Sequence, residues 1–204
     1  MEFHLTYVIF LGNYENKDVG KEKPPEPKWH LHVEIDPRGI AFIPTKSFLY
    51  LQANHTIFVG ITNENLVRHL YGYIIEEKEK YNWKRVEVFF ASNKLLELYC
   101  EEDRSTEVRT EKHNEAIEII TEIIRKKPGL VYGYEYEALP YFGMTCLDYT
   151  KFGGLIIVRP YIWGFSSRDC PAIYYSWDEK EPNEIYSKYR DGIDQLRRIS
   201  KRIK

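Results

Sequence analysis

Apolar and polar residues alternate along most of this chain, and the period of that pattern changes several times. In residues 29–35 every second residue is apolar, which predicts a half-buried strand. A turn-type sequence at residues 36–39, Asp-Pro-Arg-Gly, leads into a second apolar stretch at residues 40–43. We therefore expect an antiparallel hairpin here, preceded by a strand in the opening residues and by a mobile, proline-rich loop at residues 13–28.

The pattern changes after Asn54. Residues 56–61 are a short apolar run of the kind that a strand covered on both faces requires, and the cap-type residues 62–65 then precede apolar residues at helical spacing. Residues 86–90 repeat the strand pattern, and residues 105–124 repeat the helix pattern. These alternating signals predict two strand-to-helix crossovers.

Strand patterns follow one another in the last third of the sequence. Four strands and then a helix are predicted, at residues 130–136, 145–147, 155–158, 172–177 and 182–199. From residue 56 onward the order is β-α-β-α-β-β-β-β-α, which predicts an α/β fold with an α+β tendency and one mixed sheet. We expect a single domain over residues 1–204, with the mixed core at residues 55–200 and with residues 1–52 as an N-terminal extension too short to hold a core alone.

The composition limits the classes of binding partner and the cellular compartment that we expect for this protein. The 204 residues carry a formal net charge of -2 and are 43% hydrophobic, so no overall field attracts nucleic acid or an anionic membrane. The three cysteines show no CxxC spacing, which favours a reducing compartment over a disulfide framework. The opening apolar segment contains Glu2 and His4 and is too short to cross a bilayer. We therefore expect a cytoplasmic protein without a membrane partner.

Polar residues follow the first two core strands at the edge of the sheet where ligands collect. Thr62 and Asn63 come after one strand, and Ser92 comes after the next. Because helix N-termini at the carboxyl ends of parallel strands present free backbone amides, these residues are candidates for binding a small anion. The alternative is a local role, in which Thr62 and Asn63 cap the helix and Ser92 turns the chain.

An aromatic loop is the second candidate for ligand recognition. Trp163 lies within it, and Arg159 and Arg168 flank it. An aromatic plate with a guanidinium group at each end can hold a nucleotide or another planar anion. Aromatic packing beneath a turn is the alternative.

Histidines supply two further candidate sites. His30, His32 and Glu34 alternate with apolar residues on one face of the first hairpin, and imidazoles two apart on a strand can share a Zn²⁺ or Mn²⁺ ion. The alternative is that these residues form the solvent-exposed outer face of an edge hairpin, which requires the same alternation of polar and apolar residues. His113 lies between glutamates in a helical stretch and is most simply a surface residue, although a pairing with Asp148 would give an acid-base couple.

The sequence PYFGMTCLD ends at Asp148 and precedes a Gly153-Gly154 turn and a second apolar run, so we expect a β-hairpin here. This segment resembles a half-site of the phospholipase D superfamily, which carries a His, a Lys two residues later and an Asp five residues after that. Asp148 occupies the Asp position, whereas Tyr141 stands at the His position and Gly143 at the Lys position. The resemblance therefore implies the family's fold without its covalent phospho-histidine chemistry, because a phenol is a poor replacement for an imidazole that attacks phosphorus and is then released.

Together with the order of strands and helices, the resemblance covers roughly residues 55–200. We expect a non-catalytic ligand-binding or regulatory domain, in a prokaryotic-type setting, that recognises a nucleotide, another phosphate-containing ligand or a protein partner and needs no cofactor. The alternative is an enzyme: either a metal-dependent hydrolase built on the histidine pair of the first hairpin, or a phosphodiesterase whose second half-site comes from another chain of a homodimer. A nucleic-acid binder using the basic residues 197–204 is disfavoured by the near-neutral charge.

Overall fold

The computed structural model describes residues 34–35, 41–42, 49–78, 80–100, 105–138, 142–160, 172–177 and 180–204. Its elements are, in chain order, β1 (Glu34–Ile35), β2 (Ala41–Phe42), α1 (Leu49–Gln52), β3 (His55–Val59), α2 (Glu64–Ile74), β4 (Arg85–Ala91), α3 (Asn93–Cys100), α4 (Ser105–Lys126), β5 (Val131–Tyr136), β6 (Phe142–Leu147), β7 (Leu155–Pro160), β8 (Ile173–Ser176), α5 (Glu184–Ile199) and β9 (Lys201–Arg202). The strand predicted in the opening residues and the loop predicted at residues 13–28 lie outside the described ranges.

Seven of these strands form one mixed sheet in the order β8-β7-β6-β3-β4-β5-β9. Strands β3, β4 and β5 are parallel to one another, and the other neighbours in the sheet pair antiparallel. Helix α2 connects β3 to β4, and α3 and α4 connect β4 to β5. The predicted α/β fold with crossovers followed by antiparallel strands is therefore confirmed.

Both faces of the sheet are covered by helices, which explains why six consecutive residues of β4 are buried. Buried residues of α2 and α4 pack against one face of β3, β4 and β5. This core layer includes Phe58, Val67, Leu70, Val88, Phe90, Ile120 and Ile123. Buried residues of α3 and α5 pack on the opposite face of the same strands. This second core layer includes Ile57, Phe89, Leu96, Tyr134, Tyr186 and Ile193. None of the helices in the described ranges combines the length and apolar character needed to cross a bilayer.

The first hairpin is confirmed in its described part, where Glu34 pairs with Phe42 and Ile35 with Ala41. The hairpin predicted around the Gly153-Gly154 turn is confirmed as well, since β6 and β7 pair antiparallel over six residues each. The alternation in residues 29–35 with the turn at residues 36–39, and the apolar runs around the Gly153-Gly154 turn, were sufficient for these two predictions, because hairpins depend on local sequence.

Two elements differ from the prediction. Ser92 and the residues after it suggested a turn, but helix α3 begins at Asn93 and buries Leu95 and Leu96. No strand was predicted after the final helix, yet the basic segment that follows α5 forms strand β9 beside β5. Ile203 is buried there against Gly133, where a Cβ atom would lie 3.0 Å from Cδ1 of Ile203, so a small residue in β5 makes room for this strand.

Candidate functional site

Polar side chains gather at the amino ends of β3 and β4, on the face of the sheet that α5 covers. The parallel register places His55 beside Arg85, and Glu87 beside Tyr132. Paired residues in a sheet project to the same side, so these four side chains are neighbours although they come from three strands. We call the set of Glu87, His55, Arg85, Tyr149, Asp194 and Arg197 the Glu87 cluster.

Glu87 is the centre of this cluster and its side chain is 0% exposed. Its carboxylate accepts hydrogen bonds from Nε2 of His55 at 2.8 Å and from Nε of Arg85 at 2.9 Å. Arg197 donates two more, from Nε at 2.7 Å and from Nη2 at 3.1 Å. A buried carboxylate needs such partners, because an unpaired charge away from water costs several kcal/mol.

The electrostatics of the cluster keep Glu87 ionised. Burial by itself would raise the pKa of Glu87, but hydrogen bonds from His55 and Arg197 and the positive charges of Arg197 and Arg85 lower that pKa from 4.5 to about 2. The pKa of Arg197 shifts in the opposite direction: burial would lower it, and the bonds to Glu87 and Tyr149 raise it above its ordinary value. Glu87 is therefore a carboxylate, and not a proton donor, at any physiological pH.

Arg197 also ties the last turns of α5 to the turn that follows β6. Its Nη1 donates to Oδ1 of Asp194 at 2.6 Å, and its Nη2 donates to the hydroxyl of Tyr149 at 3.0 Å. The Tyr149 hydroxyl in turn donates to Asp194 at 3.1 Å. Burial raises the pKa of Tyr149, so this hydroxyl keeps its proton and its role as a donor.

Two guanidinium groups lie against one aromatic ring at the outer side of the cluster. The Cζ atom of Arg85 is 4.5 Å from the ring centroid of Tyr132, and the Cζ atom of Arg202 is 4.8 Å from the same centroid. Arg85 shares Glu87 with Arg197, and within the described ranges no carboxylate lies at ion-pair distance from Arg202. We call Tyr132, Arg85 and Arg202 the Tyr132 platform.

Asp148 has a structural role in the described chain. Its two carboxylate oxygens accept the backbone N–H groups of Asn54, at 3.1 Å, and of His55, at 3.0 Å. Asp148 itself has a φ of 45°, in the left-handed region that aspartate and asparagine tolerate better than most residues. The carboxylate thus fixes the start of β3, from which the His55 side chain enters the Glu87 cluster.

We expect replacement of Asp148 by Ala to lower the free energy of unfolding by about 2–3 kcal/mol, because two backbone N–H groups lose a charged acceptor and alanine is strained at this φ. Asp148→Asn should cost less, since asparagine tolerates the conformation and keeps one acceptor oxygen. Urea denaturation of the two variants measures the difference. Equal and negligible costs for both would contradict this role.

His113 is not the surface residue that its charged neighbours suggested. It is 0% exposed on α4, and its ring meets the ring of Phe90 edge to face at a centroid distance of 6.1 Å. Burial lowers its pKa, and neither ring nitrogen has a hydrogen-bond partner among the described residues. The prediction failed because His113 belongs to the buried stripe of α4 with Ala116 and Ile120, three and seven residues on.

The acid-base couple of His113 and Asp148 is therefore not assembled. His113 contacts Phe90 near the carboxyl end of β4. The Asp148 carboxylate binds the backbone at the amino end of β3. The two side chains lie at opposite ends of the parallel strands.

The polar residues at the carboxyl edge of the sheet have mainly local partners. Asn63 lies in the left-handed region with a φ of 52°, makes no side-chain cap, and donates from its amide to the Phe89 carbonyl at 2.8 Å. Ser92 accepts the Leu95 N–H at 3.4 Å and so caps α3. Thr62 is partly exposed beside Asn63. The contacts of Asn63 and Ser92 are therefore local, but Asn63 does not cap α2 with its side chain, and Ser92 caps α3 where a turn was the alternative.

The remaining candidates are only partly described. Arg159 is half-buried near the end of β7 and pairs with Gly143. Glu34 belongs to β1. Four candidates lie outside the described ranges, namely Trp163, Arg168, His30 and His32. Within those ranges no group of three or more His, Cys, Asp or Glu side chains is arranged to hold a metal ion.

Sequence reasoning missed His55, Arg85, Glu87 and Arg197. A signal was available for one of them, because Glu87 interrupts the apolar run of β4 at a position whose neighbours are all buried. A charged residue in such a strand is rarely tolerated unless it is paired. Its partners could not be read from spacing, since Arg197 is 110 residues away in the chain.

Comparison with known proteins identifies no related protein for this chain. No protein-family model matches the chain, and no curated protein or solved structure gives a significant match. The chemistry of the Glu87 cluster and of the Tyr132 platform is therefore the basis for assigning a function.

Proposed function

We propose that this chain is a non-catalytic binding module that recognises a small phosphate-containing ligand at the Tyr132 platform. The observation that carries the proposal is the convergence of Arg85 and Arg202 on one aromatic ring. Two guanidinium groups beside one ring concentrate positive charge at this part of the surface, and positive charge attracts an anion. A phosphate group is a suitable anion, because guanidinium groups bind its oxygens with paired N–H donors.

The donors left over on the platform support an external ligand. Arg85 uses Nε for Glu87, and among the described residues its two terminal nitrogens have no hydrogen-bond acceptor. The Arg85 side chain is 42% exposed, so a ligand from solvent can reach it. His55 is the neighbour of Arg85 across the sheet, and its side chain is partly exposed as well. The platform therefore offers hydrogen-bond donors that a ligand from solvent can reach.

The Glu87 cluster beneath the platform favours binding over turnover. Glu87 is buried, ionised and held by three side chains, which suits it to fixing the directions of Arg85 and His55 and leaves it no part in moving protons. The resemblance to the phospholipase D superfamily agrees with this proposal, since Tyr141 and Gly143 stand where that family has its nucleophile and its cation. A receptor or regulatory role follows from binding without turnover.

Titration of the full chain with inorganic phosphate and with AMP, by calorimetry or by NMR shifts, tests this function. We expect saturable binding that Arg202→Gln weakens by about tenfold or more, because one of two charge-assisted contacts is lost. Arg202 is a better residue to replace than Arg85, because a substitution at Arg85 would also remove an ion-pair partner of Glu87.

Arg68→Gln is the matched control. Arg68 is an exposed arginine of α2, on the other face of the sheet, where it pairs with Glu115. This variant should bind like the parent protein. The proposal is wrong if neither probe binds at millimolar concentration, or if the Arg202 and Arg68 variants bind equally well.

A further inference from the structure

Strand β9 and the residue that follows it place side chains on both faces of the sheet. Arg202 pairs with Tyr134 of β5, and the next residue, Ile203, donates its backbone N–H to the Gly133 carbonyl at 2.9 Å. Successive side chains of an extended segment point to opposite faces. Arg202 therefore lies on the face that α5 covers, with Tyr134, whereas Ile203 belongs to the core layer of α2 and α4.

Ile203 is the apolar anchor of this segment. Both residues of β9 are exposed, whereas Ile203 is 9% exposed. Gly133 makes room for it, because a Cβ atom there would lie 3.0 Å from Cδ1 and 3.3 Å from Cβ of Ile203. A strand of two residues forms few backbone hydrogen bonds, and segments held by few contacts detach from the fold at low free-energy cost. Docking of β9 on β5 therefore depends on the burial of Ile203.

The two guanidinium groups of the Tyr132 platform are held in different ways. Arg85 lies within β4 and is fixed by its hydrogen bond to Glu87 at 2.9 Å. Arg202 reaches the Tyr132 ring from β9, diagonally across from its pairing partner Tyr134. With β9 docked an anion meets two guanidinium groups, and with β9 detached it meets Arg85 alone. A ligand shifts an equilibrium towards the state that it binds more tightly.

We infer that phosphate binding at the Tyr132 platform is coupled to the docking of β9 on β5, so that β9 is a strap that completes the site and that the bound anion holds in place. This inference rests on the function proposed above and adds a means of regulating the site. Whatever detaches the strap lowers the affinity for the anion, and by linkage the anion opposes detachment by the same factor.

Hydrogen exchange followed by NMR tests the coupling on the unaltered full chain. The amide of Ile203 reports on the strap, because its hydrogen bond to Gly133 is lost on detachment. With inorganic phosphate at ten times its Kd, we expect this amide to exchange about fivefold or more slowly than without phosphate. The amide of Ile75, which donates to the Tyr71 carbonyl at the end of α2, is the control and should exchange at an unchanged rate.

Two substitutions loosen the strap from the core side and leave Arg202 and Arg85 in the chain. Ile203→Ala removes most of the anchor, and Gly133→Ala places a methyl group against it. Because the competent state becomes less populated, each should weaken phosphate binding about fivefold or more in calorimetric titrations. Ile199→Ala is the matched control, since Ile199 is 59% exposed at the end of α5, and this variant should bind like the parent protein.

The coupling and the proposed function fail in different ways. Unchanged exchange of the Ile203 amide with phosphate bound would overturn the coupling, and so would parent-like affinity in both Ile203→Ala and Gly133→Ala. Either result leaves the binding function intact if Arg202→Gln still weakens binding. Absence of phosphate binding to the parent protein would overturn the coupling together with its premise. The exchange experiment uses no variant, so it decides the inference even if Ile203→Ala fails to fold.

Discussion

Replacement of Glu87 by Gln should lower the free energy of unfolding at neutral pH by about 3 kcal/mol. The pKa of Glu87 falls from 4.5 to about 2 in the folded chain, and each unit of such a difference corresponds to about 1.4 kcal/mol. An amide keeps the shape of the side chain but not its charge, so Arg197 is left half-buried without its main counter-ion. The loss is large because the carboxylate joins β4 to α5.

The same variant should change the pH dependence of stability in a defined direction. A group whose pKa is lowered by folding stabilises the folded state above its unfolded value, and that contribution is lost as the pH falls towards the folded value. The contribution of Glu87 is therefore complete above about pH 4.5 and declines towards about pH 2. Between these limits the unfolding free energy of Glu87→Gln should fall less steeply than that of the parent protein.

Urea unfolding from neutral to acid pH measures both effects. Glu184→Gln is the control, because Glu184 is an exposed glutamate of α5 that pairs with Lys188, and surface pairs of this kind contribute little. The assignment of Glu87 as the electrostatic centre would be refuted by a loss at neutral pH below about 1 kcal/mol, or by identical acid slopes in Glu87→Gln and the parent.

Replacement of Gly154 by Ala should destabilise the chain far more than replacement of its neighbour Gly153. A Cβ atom on Gly154 would lie 2.6 Å from the Asp148 carbonyl oxygen, 2.7 Å from the Tyr186 hydroxyl and 2.9 Å from the Lys151 carbonyl oxygen. Two of these three are backbone atoms of the same turn and cannot move away without breaking it. We expect a loss of about 3 kcal/mol or more, at the upper end of what overpacking costs.

Gly153 is the matched comparison within the same turn. It has a φ of 80°, and a Cβ atom there would meet nothing within 4 Å. Gly153→Ala should therefore cost only the backbone strain of a left-handed alanine, about 1–2 kcal/mol. Thermal or urea unfolding of the two variants tests the order, and a larger loss for Gly153→Ala would show that the turn is packed differently from the structure described above.

The order of strands and helices could be predicted because each signal is local. The buried runs of β3 and β4 and the long stripe of α4 are each contained in one continuous stretch of sequence. The eight-residue α3 was missed because residues that favour a turn, such as Ser92 and Asn93, also favour the start of a helix. Two-residue β9 has no pattern of its own and exists because Ile203 finds space beside Gly133.

The candidate site could not be predicted in the same way. His55, Glu87 and Tyr132 lie on three different strands, and only the register of the sheet makes them neighbours. Arg197, which completes the Glu87 cluster, lies on α5, and its contact with Glu87 cannot be inferred from any spacing in the sequence. Sequence patterns favoured the carboxyl edge of the sheet, where parallel folds commonly bind ligands, whereas the cationic platform lies towards the amino ends of β3 and β4.

Strand β9 has a consequence for handling the protein. By pairing with Tyr134 and Glu135, residues 201–202 occupy hydrogen-bonding positions along the outer side of β5. Without them, backbone donors and acceptors of a tyrosine-rich strand would be open to another molecule, and an uncovered strand of this kind invites aggregation. A truncation that removes the basic segment would therefore change solubility as well as charge, and a charge-reversing substitution at Lys201 would leave the backbone pairing in place.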